Sequence, residues 1–130
     1  MSEPAPTDDE RDVGALFDAY EVALLRNDVP EMNAAFDDSV DVLRFGVSEM
    51  QRGYDEIVAW RASAQPVDSR RTITSRVVRQ LAPDVVAVDI TFANGDDPVV
   101  GRQSQTWVRR AEGWRIVRAH VSVIPTPPPG

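Results

Sequence analysis

Beyond residue 70 the chain runs in long β-prone stretches separated by short turn signals, and this serial pattern limits the fold more than any other feature. Residues 72–81 turn at Ala82-Pro83-Asp84 into 85–92, which turns at Asn94-Gly95-Asp96-Asp97 into 101–110, which turns at Ala111-Glu112-Gly113 into 114–122. Val, Ile, Thr, Phe and Trp fill the runs while Gly, Pro, Asn and Asp mark the breaks, so each stretch is expected to pair antiparallel with the next. The resulting sheet has to bury at least one face against another layer.

The last hairpin contains the only histidine. A three-residue loop ending in Gly113 favours a type I turn with the glycine left-handed and a G1 bulge, which pairs Arg110 with Trp114. From that register Val108 lies beside Ile116, Thr106 beside Arg118, Ser104 beside His120 and Arg102 beside Ser122. One face is then apolar near the turn and polar beyond it. Trp114, Ile116 and Val108 would close the bottom of a core, and Arg102, Ser104, His120 and Ser122 would line a polar recess above it. The opposite face carries Trp107, Val117, Ala119, Val121 and Val123 with Gln103 and Gln105, and a domain this small suggests that a second subunit covers one of the two faces. A two-residue loop would instead swap the faces of the 101–110 strand and turn Gln103, Gln105 and Trp107 toward the recess.

The first seventy residues read as helices around one short strand. Thr7 with Glu10 fits a capping box, and Val13, Leu16, Phe17, Tyr20 and Leu24 recur at helical spacing to about Asn27. Pro30, Met32, Ala35 and Phe36 suggest a short second helix ending near Asp37-Asp38. Residues 40–45 read as a strand with Gly46 allowing a bend. Gly53-Tyr54-Asp55-Glu56 opens a third helix through Ile57, Val58, Trp60 and Arg61, with a loop at Gln65-Pro66. The order predicts an α+β domain, its N-terminal helices packed on the concave face of an antiparallel sheet, over residues 10–124 with tails at 1–9 and 125–130.

A chain of 130 residues with 42% hydrophobic content suits one globular domain. Its formal charge of −7 argues against sequence-independent binding to nucleic acid or an anionic membrane, which needs a net basic patch. All 14 basic residues are Arg, so Schiff-base chemistry is excluded and an anionic substrate must meet guanidinium groups, although a GC-rich genome accounts for the bias without any function. With no cysteine and one histidine, thiolate catalysis and Cys- or His-rich metal sites are excluded, while carboxylate-only binding of Mg or Ca stays open. No cofactor is implied. The acidic start from Met1 to Glu10 lacks the apolar stretch of a signal peptide or membrane span, and a cytoplasmic protein is expected.

Helix-helix-strand-helix followed by four long strands resembles the nuclear transport factor 2-like, or SnoaL-like, cone fold. More narrowly, Arg44-Phe45-Gly46-Val47, Gly53 to Ile57, Gly101-Arg-Gln-Ser-Gln-Thr-Trp-Val, Gly113-Trp-Arg-Ile-Val and Ala119-His-Val-Ser resemble the AtzH/HpxZ-like branch, associated with breakdown of oxalurate and cyanuric acid intermediates. The resemblance implies a homodimer with one cavity per subunit, acting on small ureido acids or carboxylated urea derivatives by amide hydrolysis or decarboxylation. It also places Tyr20 and Arg44 in the pocket.

The residues give these expectations chemical content. Arg44, in a mostly apolar strand, would meet a ligand carboxylate, or else a fixed ion-pair partner such as Asp41, Glu49 or Asp89. Tyr20 would donate to an oxyanion or relay a proton, or else be a core tyrosine. His120 would act as a general base or carbonyl donor, oriented by Ser104 and Ser122, with Arg102 holding a second carboxylate; these do not form a nucleophile triad because no acid orients the imidazole. Asp89 could serve as the acid of a cone-fold isomerase or dehydratase, or be a solvated strand position. A non-catalytic carboxylate-binding or assembly-hub cone is the remaining alternative.

Overall fold

The computed structural model describes residues 4–126. Thr7 caps the first helix, α1 (Asp8–Arg26): its hydroxyl accepts the Glu10 N–H while the Glu10 carboxylate accepts the Thr7 N–H, satisfying two otherwise orphaned donors. The helix ends at Asn27, left-handed at φ 52°, whose N–H bonds back to the carbonyls of Ala23 and Leu24. Val13, Phe17, Tyr20, Glu21 and Leu24 share the buried stripe, so a charged residue lies where only apolar neighbours would be expected.

Helix α2 (Val29–Ala34) is short, capped by Asp28 and started by Pro30 in its first turn. Helix α3 (Tyr54–Arg61) follows Gly53, whose φ of 88° suits glycine alone, and buries Ile57 and Arg61 on one face. Six strands follow the order β2-β1-β6-β5-β4-β3: β1 (Leu43–Phe45), β2 (Met50–Arg52), β3 (Arg71–Ala82), β4 (Val85–Asn94), β5 (Val99–Arg110) and β6 (Gly113–Pro125). All pairs are antiparallel except β1 with β6. The sheet is curved and unclosed, as expected of an α+β cone. The expected C-terminal tail begins at Pro125, the last residue of β6, and residues 1–3 and 127–130 lie outside the described residues.

Two short segments differ from expectation. The first strand begins at Leu43, because residues 39–41 turn instead, with the Asp41 N–H bonded to the Ser39 hydroxyl. Strand β2 went unforeseen; only Gln51 of its three residues is buried, too short a run to show alternation.

The larger correction is at the last hairpin. Gly113 takes the expected positive φ, 124°, but the loop closes on two residues, pairing Arg110 with Gly113, Arg109 with Trp114 and Trp107 with Ile116. The register then shifts: Thr106 pairs with Arg118, leaving Val117 as the extra residue of a β-bulge. Beyond it the expected partners return, Ser104 with His120 and Arg102 with Ser122. Their faces do not. A bulge reverses the alternation of its strand, so Trp114 and Ile116 share the inner face with Ala119 and Val121, and Trp107, Gln105 and Gln103 join them from β5.

The core lies between the helices and this inner face. Phe17, Met32 and Ile57 meet Val86, Val88, Ile90 and Phe92 of β4 with Trp107 and Ile116, all nearly inaccessible, each worth about 1.5–3 kcal/mol of transfer free energy. No helix among the described residues is long and apolar enough to cross a membrane.

Candidate functional site

A cavity of about 90 Å³ opens between α1, α3 and the inner face of the sheet, lined by Tyr20 and Leu24 of α1, Arg44 of β1, Trp60 and Arg61 of α3, Arg71 of β3, Gln103 and Gln105 of β5, and Ala119 and Val121 of β6. Gln65 and Val67, from the loop after α3, complete it on the exposed side. Three arginines thus converge on one small space.

Each guanidinium has a different environment. Arg71 donates from Nε and Nη2 to the two carboxylate oxygens of Glu21, 3.0 Å each, and Nη2 also donates to Gln103 Oε1 at 3.2 Å. Its guanidinium carbon lies 3.9 Å from the centre of the Phe92 ring. Arg44 donates from Nη1 to Glu49 Oε1 at 2.7 Å and Gln51 Oε1 at 3.0 Å. Arg61 donates from Nη2 to the Tyr20 hydroxyl at 3.2 Å, and its buried Nε–H has no protein acceptor. Arg44 and Arg61 both lie against Trp60, 4.0 and 4.6 Å from its ring centre.

Counting charge shows the imbalance. Arg44 and Arg71 each have a carboxylate, Glu49 and Glu21, whereas Arg61, only 7% exposed, has none among the described residues. Burial lowers the Arg61 pKa from its ordinary value; the Arg44 charge acts in the same direction, and Tyr20 and Glu49 oppose it. A guanidinium keeps its charge regardless, so burial is a standing cost that an incoming anion would relieve. For Glu49, burial pushes the carboxyl up, but the hydrogen bond and charge of Arg44, with Ser48, outweigh it and hold the pKa below its ordinary value.

The cavity presents donors. The Tyr20 oxygen already accepts from Arg61, leaving its O–H free to donate. Gln103 Oε1 is taken by Arg71, and Gln105 Oε1 accepts from Trp107 Nε1 at 3.0 Å. An acceptor-rich anion complements this lining.

The structure therefore brings Tyr20 and Arg44 together and separates them from the other expected site residues. Arg102, Ser104, His120 and Ser122 lie on the outer face, where His120 is exposed and edge-on to Phe45 at 5.7 Å, and Arg102 Nε donates to Ser122 Oγ at 3.1 Å. The two-residue loop and the bulge at Val117 put them there. Asp89, paired with Ser104, is exposed on the same outer face. Arg44 adopts the ion-pair alternative, with Glu49 as its partner. Gln103 and Gln105 face the cavity as the two-residue-loop alternative requires, whereas Arg61, Arg71 and Glu21 were not expected there. Their signal was polarity at core spacing: Glu21 four residues after Phe17, Arg61 four after Ile57, and Gln103 and Gln105 in alternation with Trp107.

A larger depression of about 800 Å³ lies between residues 4–7, α1 and β3. It is open, and Arg11, Arg76 and Glu10 within it are already held by Asp8, Asp18 and the Gln80 N–H. Among the described residues no three His, Asp or Glu side chains converge on a metal-sized point.

Comparison with known proteins agrees with this architecture. A protein of cystatin-like fold from Burkholderia xenovorans LB400 is 41% identical, with a TM-score of 0.86 over 91% of this chain and 93% of that one. A protein of unknown function from Pectobacterium atrosepticum SCRI1043 is 35% identical, with a TM-score of 0.85 over 91% and 93%. A nuclear transport factor 2-like protein of unknown function from Pseudomonas putida KT2440 is 19% identical with a TM-score of 0.74 over 92% and 89%, a likeness of fold alone. No curated protein matches the sequence. The AtzH-like family model matches residues 7–127, from the cap of α1 past the end of β6, and the chain therefore belongs to the AtzH-like family.

Proposed function

We propose that the protein is an enzyme that releases carbon dioxide from a small N-carboxylated urea or related ureido acid bound in the cavity. The observation that carries this reading is Arg61, a buried guanidinium without a carboxylate partner among the described residues, facing a lining of hydrogen-bond donors. Membership of the AtzH-like family, whose branch is associated with oxalurate and cyanuric acid intermediates, supports the substrate class.

Arg61 holds the carboxylate, Arg44, whose Nη1 is engaged by Glu49 and Gln51, adds only its charge at the cavity wall, and Tyr20 of α1 is the proton donor. The bond between nitrogen and the carboxylate carbon breaks, its electron pair goes to nitrogen, the Tyr20 proton joins that nitrogen, and carbon dioxide departs. The phenolate left behind faces the Arg61 guanidinium 3.2 Å away until it regains a proton from solvent. Amide hydrolysis would need a base to activate water. Both carboxylates beside the cavity, Glu21 and Glu49, already accept from arginines, which favours decarboxylation. His120, on the outer face, takes no part, and the exposed position of Asp89 weighs against an isomerase or dehydratase built on it.

Calorimetric titration with malonate, oxalurate and N-carboxylated ureas, followed by carbon dioxide detection, tests this reading. Binding should weaken at least about tenfold in Arg61→Met, and Tyr20→Phe should bind yet lose turnover. Binding that survives Arg61→Met would overturn the anion site, and binding without product would leave a carboxylate-binding or hub domain. We also infer that a second copy covers the outer sheet face, where Phe45, Met50, Val77 and Ile124 are exposed beside Arg102, Arg118 and Asp89, a mixture of both charges that a two-fold mate can complement. Sedimentation as a monomer at micromolar concentration would refute it.

A further inference from the structure

Gln103 sits in the middle of β5 with its side chain on the inner face, 6% exposed and lining the cavity. Its lateral neighbours are Ile90 on β4 and Val121 on β6, neither of which offers a side-chain acceptor. Its Nε2 is buried and has no hydrogen-bond partner among the described residues. Its Oε1 accepts from Arg71 Nη2 at 3.2 Å, and Arg71 is itself fixed by both oxygens of Glu21.

This arrangement settles which way the amide faces. Turning it over would set an N–H2 against a guanidinium, donor against donor, so the carbonyl oxygen stays on Arg71 and the buried N–H2 is left unpaired in a residue that lines the cavity. A buried donor left without an acceptor costs free energy that a ligand oxygen would recover. A ligand presenting N–H at the same point would leave two donors opposed.

We propose that Gln103 is the specificity-determining residue of the site, donating to a carbonyl or carboxylate oxygen of the ligand and discriminating against isosteres that carry an amino group there. Arg71 and Glu21 are positioning residues that keep the amide from turning. The assignment rests on the anion-binding reading above and adds to it the polarity of a second contact: one end of the ligand meets Arg61, and an acceptor oxygen meets Gln103. This is how a site separates ureas from guanidines of the same shape, since an unpaired buried polar group penalises the wrong ligand more than a lost methylene does.

The test is calorimetry with two probes of similar shape, hydantoate and guanidinoacetate, which differ in a carbonyl oxygen against a protonated amino group and so also in one positive charge that the arginines oppose, which makes the change between wild type and variant the readout of the Gln103 contact. Wild-type protein should prefer hydantoate. Gln103→Leu should lose about tenfold or more in hydantoate affinity while guanidinoacetate changes little. Gln103→Met keeps the volume and offers no donor, so it should lower hydantoate affinity by a similar factor, and it carries the test if the Leu variant does not fold. A preference unchanged in both folded variants would overturn the assignment of Gln103 alone, provided hydantoate binding is lost in Arg61→Met. Wild-type protein that takes neither probe, or binding that persists in Arg61→Met, would overturn the anion-site reading and this assignment with it.

Discussion

Arg61 and Arg71 line the same cavity and are equally buried, yet replacing each by methionine should have opposite consequences. Arg71 and Glu21 form a two-oxygen pair whose side chains are 5% and 9% exposed. Arg71→Met strands the Glu21 carboxylate in the core and takes the acceptor's partner from Gln103, which should cost about 3–5 kcal/mol. In a domain of this size that lowers Tm by roughly 10–15 °C. Arg61→Met removes a guanidinium that no carboxylate compensates. What it loses is one hydrogen bond to Tyr20 and a contact with Trp60, about 1–2 kcal/mol together, and what it relieves is the burial of an unmatched charge, so stability should stay within about 1 kcal/mol of wild type. The assay is thermal unfolding at neutral pH with and without malonate. Malonate at about a hundred times its Kd should stabilise wild-type protein by about 2.7 kcal/mol, and that increment should vanish in Arg61→Met. Equal destabilisation by the two substitutions would refute the reasoning, because it would make Arg61 a matched structural charge rather than a vacant binding group.

Gly101 meets the Phe92 ring so closely that an added Cβ would lie 2.3 Å from it, and that ring carries Arg71 on its face. Gly101→Ala should therefore cost about 1–3 kcal/mol by overpacking and weaken anion binding through the displaced arginine; full stability would show that the ring has room to retreat. Acid should unfold the protein through Glu49, whose folded pKa lies below its ordinary value of 4.5: its contribution is complete above that value and is lost as pH falls through the lower folded one. Asp9, held down chiefly by its hydrogen bond from Arg109, and Asp68, held down by Arg70, add in the same sense at the surface, so Tm should fall below about pH 4.5, and a flat Tm down to pH 3 would contradict it.

Much of the fold was legible because long elements average out local uncertainty. The capping box at Thr7, the apolar stripe of α1 and the serial turns after residue 70 each carry several concordant signals, and each appears where expected. What was not legible was a single extra residue. Val117 reads as an ordinary strand residue, because a bulge carries no turn signal in the sequence. The two-residue loop put Ser104 and Arg102 on the outer face, and the bulge at Val117 sent His120 and Ser122 there with them while leaving their strand partners unchanged.

Alternation along β5 offers two sets, Arg102-Ser104-Thr106 and Gln103-Gln105-Trp107, and hydrophilicity alone favours the first as a polar recess. Bulk argues for the second. Trp107 is too large and apolar to leave in water, so its parity must be the buried one, and parity then forces Gln103 and Gln105 inside with it. An amide forced into a core by its strand must be satisfied, and what satisfies it here is a chain of charged partners: Glu21 holds Arg71, and Arg71 holds Gln103. Arg61 breaks the pattern, with no carboxylate partner among the described residues, and this unmet charge beside the met charges of Arg44 and Arg71 separates a ligand site from a buried polar network built only to hold the fold.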